Sequence, residues 1–279
     1  MGTLLGVMFL MTAQTSFFSP AFQAILPETF SEKELSKANG DIGMASFIAA
    51  IAGVGAAPLI KLFSGSISAW LASCGLAVRN DLYISGAFLI LGSFLGIIAA
   101  FKVKPTAEYE ESHRRRERVG TMRSLLLGWK ALTERLSIFL AAFGDAFFLG
   151  IGVAIQTLLV LFAKYTLPEF GGDLEIAAAI GMGFGCYLGG RLSRGKIELG
   201  FVPIGAIGIA IFLPLAVCCP GPALTAGKLL LHPLAIFWLI CGGISGGFFV
   251  IPLRAFLQQR LAPAARGSAL ALSNALSFA

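Results

Sequence analysis

Runs of about 20 apolar residues recur along this chain, and no other feature limits its fold as strongly. A helix needs about 20 such residues to cross a hydrocarbon core of about 30 Å. Seven runs approach or exceed this length, at residues 2–27, 40–60, 82–101, 136–162, 174–190, 199–219 and 233–253. The chain is 57% hydrophobic and only 13% charged, which is unlike the composition of a soluble domain. The sequence therefore predicts an all-α polytopic membrane protein.

An eighth apolar run begins near Gly267 and continues to Ala279, the last residue of the sequence. At 1.5 Å per residue this run is about 20 Å long, which is too short to cross the membrane. We therefore expect about seven transmembrane helices plus part of an eighth, in a chain that is a fragment of a longer protein.

The Lys and Arg residues predict the orientation of the helices, because cytoplasmic loops retain these residues. If the loop at residues 28–39 is cytoplasmic, only four of the 21 Lys and Arg residues fall on the opposite side, namely Lys61, Arg79, Lys164 and Lys228. Membrane topology thus explains the net charge of +6, and no nucleic-acid partner is expected.

The longest polar segment predicts the domain organisation. We interpret residues 104–135 as a cytoplasmic linker between part of an N-terminal helix bundle at residues 1–103 and part of a C-terminal bundle at residues 136–279. The basic run at residues 113–118 is interpreted as a solvated topology anchor. The alternative is that this run contacts anionic lipid head groups.

An acidic residue inside an apolar helix is the first functional candidate. A carboxylate at membrane depth usually faces a cavity or a charged partner, and Asp145 lies within the run at residues 136–162. Gly152 and Gln156 follow within about 20° of the same helix face. This face is predicted to line a central cavity, with Asp145 and Gln156 as transport candidates. The alternative is that Asp145 pairs with another helix or with the backbone. Arg254 lies near the cytoplasmic end of its helix, and its side chain is predicted to extend to the membrane interface.

The first apolar run supplies further candidates for substrate contact. Gln14 and Gln23 add amide groups beside phenylalanines, which would suit a polar head group next to an acyl chain. Hydrogen bonds between helices explain the two amides equally well. Pro20 and Pro252 are predicted to bend their helices, because proline removes a backbone donor.

Glycines, cysteines and histidines bear on helix packing and on possible catalysis. Two groups of glycines predict close helix packing: Gly181, Gly185 and Gly189, and Gly242, Gly243, Gly246 and Gly247. The five cysteines and two histidines show no metal-ligand spacing and no catalytic pair. We therefore expect neither a cofactor nor a metal nor an enzymatic activity.

A repeated plan of apolar helix with internal proline, charged turn and second apolar helix occurs once in each half of the chain, at residues 17–40 and 246–266. Internal duplication of this kind is typical of transporters. The residues that carry it are Ser19-Pro20-Ala21, Ile25-Leu26-Pro27-Glu28, Leu35 and Lys37-Ala38-Asn39-Gly40, then Gly246-Gly247-Phe248-Phe249-Val250, Pro252-Leu253 and Leu257-Gln258. In order and in both halves, they resemble the bacterial lysophospholipid transporters of the major facilitator superfamily.

The resemblance implies a fold, an activity and a location. Such proteins have twelve helices in two bundles and flip lysophospholipids such as lysophosphatidylethanolamine across the inner membrane by alternating access. This chain would supply helices four to ten and the start of eleven, an incomplete major facilitator fold. Its partners would be a lysophospholipid, membrane lipids and a possible fused or partner acyltransferase domain. The glycine-containing basic loop at residues 190–196 is similar to a superfamily loop that can latch the bundles through charge pairs, although a short basic turn explains it equally well.

The chain departs from the family pattern at two positions. Relatives can carry Arg where Gln156 stands and Lys where Phe22 stands, so two positive charges that could recognise an anionic head group are missing. The alternatives are a major facilitator exporter of another small solute or drug, and a truncated membrane protein that transports nothing.

Overall fold

The computed structural model describes residues 2–73, 82–102, 120–166, 171–193, 195–218, 224–226, 229–231 and 233–276. These residues form nine helices and one two-stranded antiparallel sheet, in which Leu224 lies opposite Leu231. The helices are Gly2–Thr29 (α1), Leu35–Ser73 (α2), Leu82–Ala100 (α3), Thr121–Thr133 (α4), Leu136–Thr166 (α5), Gly171–Leu192 (α6), Phe201–Cys218 (α7), Pro233–Arg260 (α8) and Pro263–Leu276 (α9). The strands are Leu224–Ala226 (β1) and Leu229–Leu231 (β2).

Each predicted apolar run coincides with a helix, so the prediction of a helical membrane protein is confirmed. Within the described residues, four segments are long and apolar enough to cross a membrane: Leu35–Ala56, Leu136–Leu158, Phe201–Cys218 and Pro233–Arg260. Many apolar side chains on these helices are exposed to the surroundings, as expected where the surroundings are lipid tails. The predicted partial helix near the C-terminus corresponds to α9.

The predicted linker contains a helix that the sequence analysis did not identify. Helix α4 lies inside residues 104–135 and is followed by only two residues before α5 begins. It has 13 residues, too few to cross a membrane, and its apolar positions follow a helical period instead of forming a continuous run. The basic run at residues 113–118 lies outside the described residues.

The chain divides into two compact units, residues 1–48 with 116–279, and residues 49–115. In the first unit α8 is central and packs against α6, α7, α5 and α1. Its largest apolar cluster joins α4, α5, α8 and α9 through residues that include Leu132, Ile138, Leu257 and Leu270. The second unit contains the remainder of α2 and helix α3. The bundle boundaries near residues 103 and 135 stay a prediction.

The glycine groups allow α6 and α8 to approach at backbone distance. A Cβ atom added at Gly243 would lie 2.5 Å from the carbonyl oxygen of Ala178, and one added at Gly247 would overlap the backbone of Gly185. Such distances leave no room for a side chain, so the predicted close packing is confirmed. Pro20 and Pro252 are both buried inside continuous helices, and their bending role stays a prediction.

Candidate functional site

A buried ion pair joins α5 and α8 in the first unit. The Nε atom of Arg254 donates a hydrogen bond to Oδ1 of Asp145, with a distance of 3.1 Å. The Asp145 side chain is only 4% exposed, whereas that of Arg254 is 29% exposed. The carboxylate is therefore enclosed by protein, while part of the Arg254 side chain stays accessible.

Packing on both helices places this pair. Ala142 and Ala146 flank Asp145 on α5 and are buried, as is Leu253 beside Arg254 on α8. Small residues on α5 bring the two helices close enough for the short Asp145 side chain to reach the guanidinium. Of the two alternatives for Asp145, the structure supports pairing with another helix. Arg254 was expected to extend to the interface, and its partner on α5 explains why it instead stays within the unit.

An aromatic pair lies next to the ion pair and spans the same two helices. The rings of Phe148 and Phe249 stack with centroids 5.4 Å apart. Phe148 is one turn from Asp145, and Phe249 lies five residues before Arg254 on α8. The Phe148 ring also covers Gly246, where an added Cβ would lie 3.1 Å from a ring carbon. The ion pair and the stacked rings thus both join α5 to α8, one to two turns apart along these helices.

A reciprocal pair of amides connects the start of α2 to α8. Nδ2 of Asn39 donates to Oε1 of Gln258 at 2.7 Å, and Nε2 of Gln258 donates to Oδ1 of Asn39 at 3.1 Å. Asn39 Nδ2 also donates to the Leu35 carbonyl at 2.9 Å. Both amides are buried, and unpaired buried amides would be unfavourable. We call this pair the amide clasp; Gln258 lies one turn beyond Arg254 on α8.

Helix α6 also contacts the start of α2, next to the amide clasp. A Cβ added at Gly40 would lie 2.6 Å from the Cys186 carbonyl oxygen and 2.9 Å from the Gly190 Cα atom, so α2 and α6 touch at backbone distance. Beside this contact, Arg191 approaches Asp41 at 3.8 Å, with both side chains nearly half exposed. Arg191 belongs to the basic loop that was expected to form charge pairs, and this ion pair agrees with the latch interpretation.

Polar side chains of α1 form a small network with α9. Gln23 Nε2 donates to Ser19 Oγ at 3.3 Å, and Asn274 Nδ2 donates to the same oxygen at 3.1 Å. Gln23 thus bonds within α1, while Ser19 makes the hydrogen bond to α9, and substrate contact by Gln23 stays a prediction. Gln14 is exposed and lies more than a turn away from Ser19.

The structure separates Gln156 from Asp145. Gln156 is exposed, and nothing lies within 4 Å of a Cβ added at Gly152. The outer part of this predicted polar stripe is therefore open, whereas Asp145 is enclosed by α8. A cavity lined by the whole stripe stays a prediction.

Three residues of this region were not among the predicted site residues. Arg254, Asn39 and Gln258 are polar groups in or near apolar helices, which was a usable signal. Their partners are 109 and 219 positions away in sequence, so no local pattern could pair them.

Comparison with known proteins supplies the family. The sequence profile of the Major Facilitator Superfamily matches residues 1–279. The chain is 31% identical over 266 residues to the lysophospholipid transporter LplT of Yersinia enterocolitica serotype O:8 / biotype 1B (strain NCTC 13174 / 8081), covering 92% of this chain and 58% of that protein. It is 30% identical over 268 residues to LplT of Yersinia pestis (strain Pestoides F) and of Yersinia pseudotuberculosis serotype O:3 (strain YPIII), covering 92% of this chain and 57% of each.

The chain thus spans somewhat more than half the length of the curated relatives it matches. No solved structure matches it. Because the superfamily profile covers every residue and the fold is helical with apolar spans, this multi-pass membrane chain belongs to the Major Facilitator Superfamily.

Proposed function

We propose that the protein containing this chain transports lysophospholipids across the bacterial inner membrane by alternating access. The superfamily is one of transporters, and relatives at about 30% identity are named lysophospholipid transporters. The observation that carries the proposal is the Asp145–Arg254 pair beside stacked aromatic rings. A site that combines one accessible cation with apolar surface suits an amphipathic anion or zwitterion.

In this proposal Arg254 binds the phosphate of the head group. A guanidinium carries five donors, and Asp145 accepts from Nε. The edge formed by the two Nη atoms can then bind a phosphate through two parallel hydrogen bonds. Asp145 orients the guanidinium and balances its charge when no substrate is bound. Arg254 thereby supplies positive charge in a chain that lacks it at Phe22 and Gln156.

The single acyl chain of a lysophospholipid would lie along the neighbouring aromatic surface. Phe148 and Phe249 are one to two turns from the ion pair on their helices. These rings offer the acyl chain an apolar surface in place of the lipid tails, so that the chain need not contact water during transport. Ordinary drug or sugar substrates of the superfamily lack this pairing of phosphate and acyl chain.

The amide clasp and the Gly40–Gly190 contact would close the site on the cytoplasmic side. Both involve the start of α2, which begins within residues 28–39, the segment that the charge distribution predicts to be cytoplasmic. Neutral amides bind each other without the strong desolvation of an ion pair. They can therefore separate and re-form during a transport cycle, since each amide can bond to water when the two helices part.

A transport assay on proteoliposomes tests the proposal. The protein is reconstituted as its gene encodes it and offered labelled lysophosphatidylethanolamine together with a panel of drugs and sugars. Loss of a charge-assisted hydrogen bond amounts to about 1.5–3 kcal/mol, so Arg254→Gln is expected to reduce lysophospholipid transport about ten- to hundredfold. Arg254→Lys retains the charge without the planar guanidinium. Its transport rate should lie between that of the unmodified protein and that of Arg254→Gln.

Arg260→Gln is the matched control, because it removes an exposed arginine from the same helix, α8. This variant should transport at nearly the unmodified rate. Specific transport of another solute, with no lysophospholipid transport by correctly inserted protein, would instead favour an exporter. An acyltransferase, fused or separate, would re-acylate the product, and co-purification of that activity with the protein tests this partner.

A further inference from the structure

Helix α4 exposes an apolar stripe. Met122, Leu125, Leu126 and Trp129 are all exposed, Met122 at 71% and Leu126 at 63%. Their spacing of i, i+3, i+4 and i+7 places them within an arc of about 100° on one side of the helix. Four large apolar side chains on one arc of a helix outside the predicted spans require a partner or an apolar medium.

The side of α4 that adjoins the apolar stripe next to Leu125 packs on the rest of the first unit. Gly128 packs on α9, where an added Cβ would lie 2.7 Å from the Ser268 carbonyl carbon. Leu132 is 1% exposed and belongs to the cluster with Leu257 of α8 and with Leu261, the residue that follows α8. These contacts fix the rotation of α4 about its axis, so the apolar stripe cannot turn inward.

A basic edge borders the stripe. On the helical wheel Arg123 and Lys130 project about 80–100° from Met122, next to Leu126, and both are exposed. Residues 120–133 contain no Asp or Glu. Proceeding around the helix, the docked side is followed by the apolar stripe and then by the basic edge, which is the arrangement of a helix that lies in a membrane interface.

We propose that α4 lies on the cytoplasmic surface of the bilayer, with its apolar stripe at the acyl boundary and Arg123 and Lys130 on the phosphates of anionic lipids. Helix α4 is two residues from α5, so it lies at the end of a membrane span. The charge distribution makes this end cytoplasmic, and there anionic lipids attract basic side chains. Through Gly128 and Leu132, α4 then holds the adjoining ends of α8 and α9 at head-group level.

Tryptophan fluorescence tests this contact. The protein is prepared as its gene encodes it, with every tryptophan other than Trp129 replaced by Phe; within this sequence the changes are Trp70→Phe and Trp238→Phe. Trp238 Nε1 is buried and makes no hydrogen bond within the described residues, so its replacement removes none that the structure shows. In nanodiscs, brominated phosphatidylglycerol is expected to quench Trp129 more strongly than the same fraction of brominated phosphatidylcholine. Each basic residue near the surface contributes a preference of roughly fivefold for anionic lipid.

In the double variant Arg123→Gln with Lys130→Gln, both brominated lipids should quench Trp129 equally. Leu126→Glu should reduce quenching by either lipid, whereas Leu127→Glu should not, because Leu127 projects beyond the basic edge. Quenching by aqueous iodide but not by brominated lipid would overturn the proposal and favour a protein partner. Equal quenching by both lipids in the unmodified helix would overturn the role of anionic lipid. If the tryptophan replacements unfold the chain, slower hydrogen exchange of α4 in anionic than in zwitterionic nanodiscs gives the same test.

Discussion

Removing one partner of the Asp145–Arg254 pair should destabilise the protein far more than removing one partner of the exposed Asp41–Arg191 pair. The buried pair has a 3.1 Å contact and a nearly enclosed carboxylate. With charge centres about 4 Å apart and an effective dielectric constant of about 20, the attraction is about 4 kcal/mol. Truncation of one partner in a buried pair costs about 3–5 kcal/mol, since it leaves the other charge unpaired.

A double-mutant cycle measures this attraction separately from other effects of truncation. The variants Asp145→Ala, Arg254→Ala and the combination are unfolded in mixed micelles of mild detergent with increasing dodecyl sulfate, and helix content is followed by circular dichroism. We expect a coupling free energy of about 3 kcal/mol or more, and a double variant that is more stable than Asp145→Ala alone. Asp145→Asn should still insert into membranes but transport less, because the negative charge that orients Arg254 is lost.

The control cycle uses Asp41 and Arg191, whose side chains are 44% and 48% exposed at a separation of 3.8 Å. Exposed pairs of this kind contribute at most about 1 kcal/mol. A coupling at Asp145–Arg254 no larger than that of the control cycle would refute the reasoning. It would mean that water or lipid phosphate screens the pair in the membrane, and that Asp145 does not orient Arg254.

Three further outcomes are expected. Gly247→Leu should prevent α6 and α8 from packing and abolish the folded fraction in size-exclusion chromatography, whereas Gly152→Leu should leave that fraction unchanged because open space surrounds Gly152. Gln258→Leu breaks the amide clasp, and the buried Cys186 should then react faster with N-ethylmaleimide, as read from its peptide by mass spectrometry; an unchanged rate would exclude the clasp as a closure. Hydrogen bonds from Ser31 lower the pKa of the Glu34 carboxyl group from its ordinary 4.5. Its stabilising contribution is therefore present above the unfolded-state pKa and lost as the pH falls through the folded-state pKa, so Glu34→Gln should flatten this part of the acid-unfolding curve.

Local composition was enough to locate the helices of this chain. The apolar runs, the glycine groups on α6 and α8 and the intramembrane Asp145 were all readable, because partition into lipid depends on the residues of one segment at a time. Helix α4 was not predicted from local composition. Its 13 residues alternate between docked, apolar and basic sides, so its character depends on the angle around the helix axis and not on mean hydropathy.

The sequence by itself thus determined a helical membrane chain of the major facilitator type and one acidic residue of interest within an apolar helix, and it predicted the membrane orientation. Only the tertiary structure decided that Asp145 faces Arg254 and that Asn39 meets Gln258, across 109 and 219 positions. The physical reason lies in the range of the interactions. Burial of a helix is favourable whichever way the helix is rotated, whereas a hydrogen bond of about 3 Å exists at only one rotation and spacing of two helices. Those rotations are set by the backbone contacts at glycines such as Gly40 and Gly247, which bring together residues that are distant in sequence.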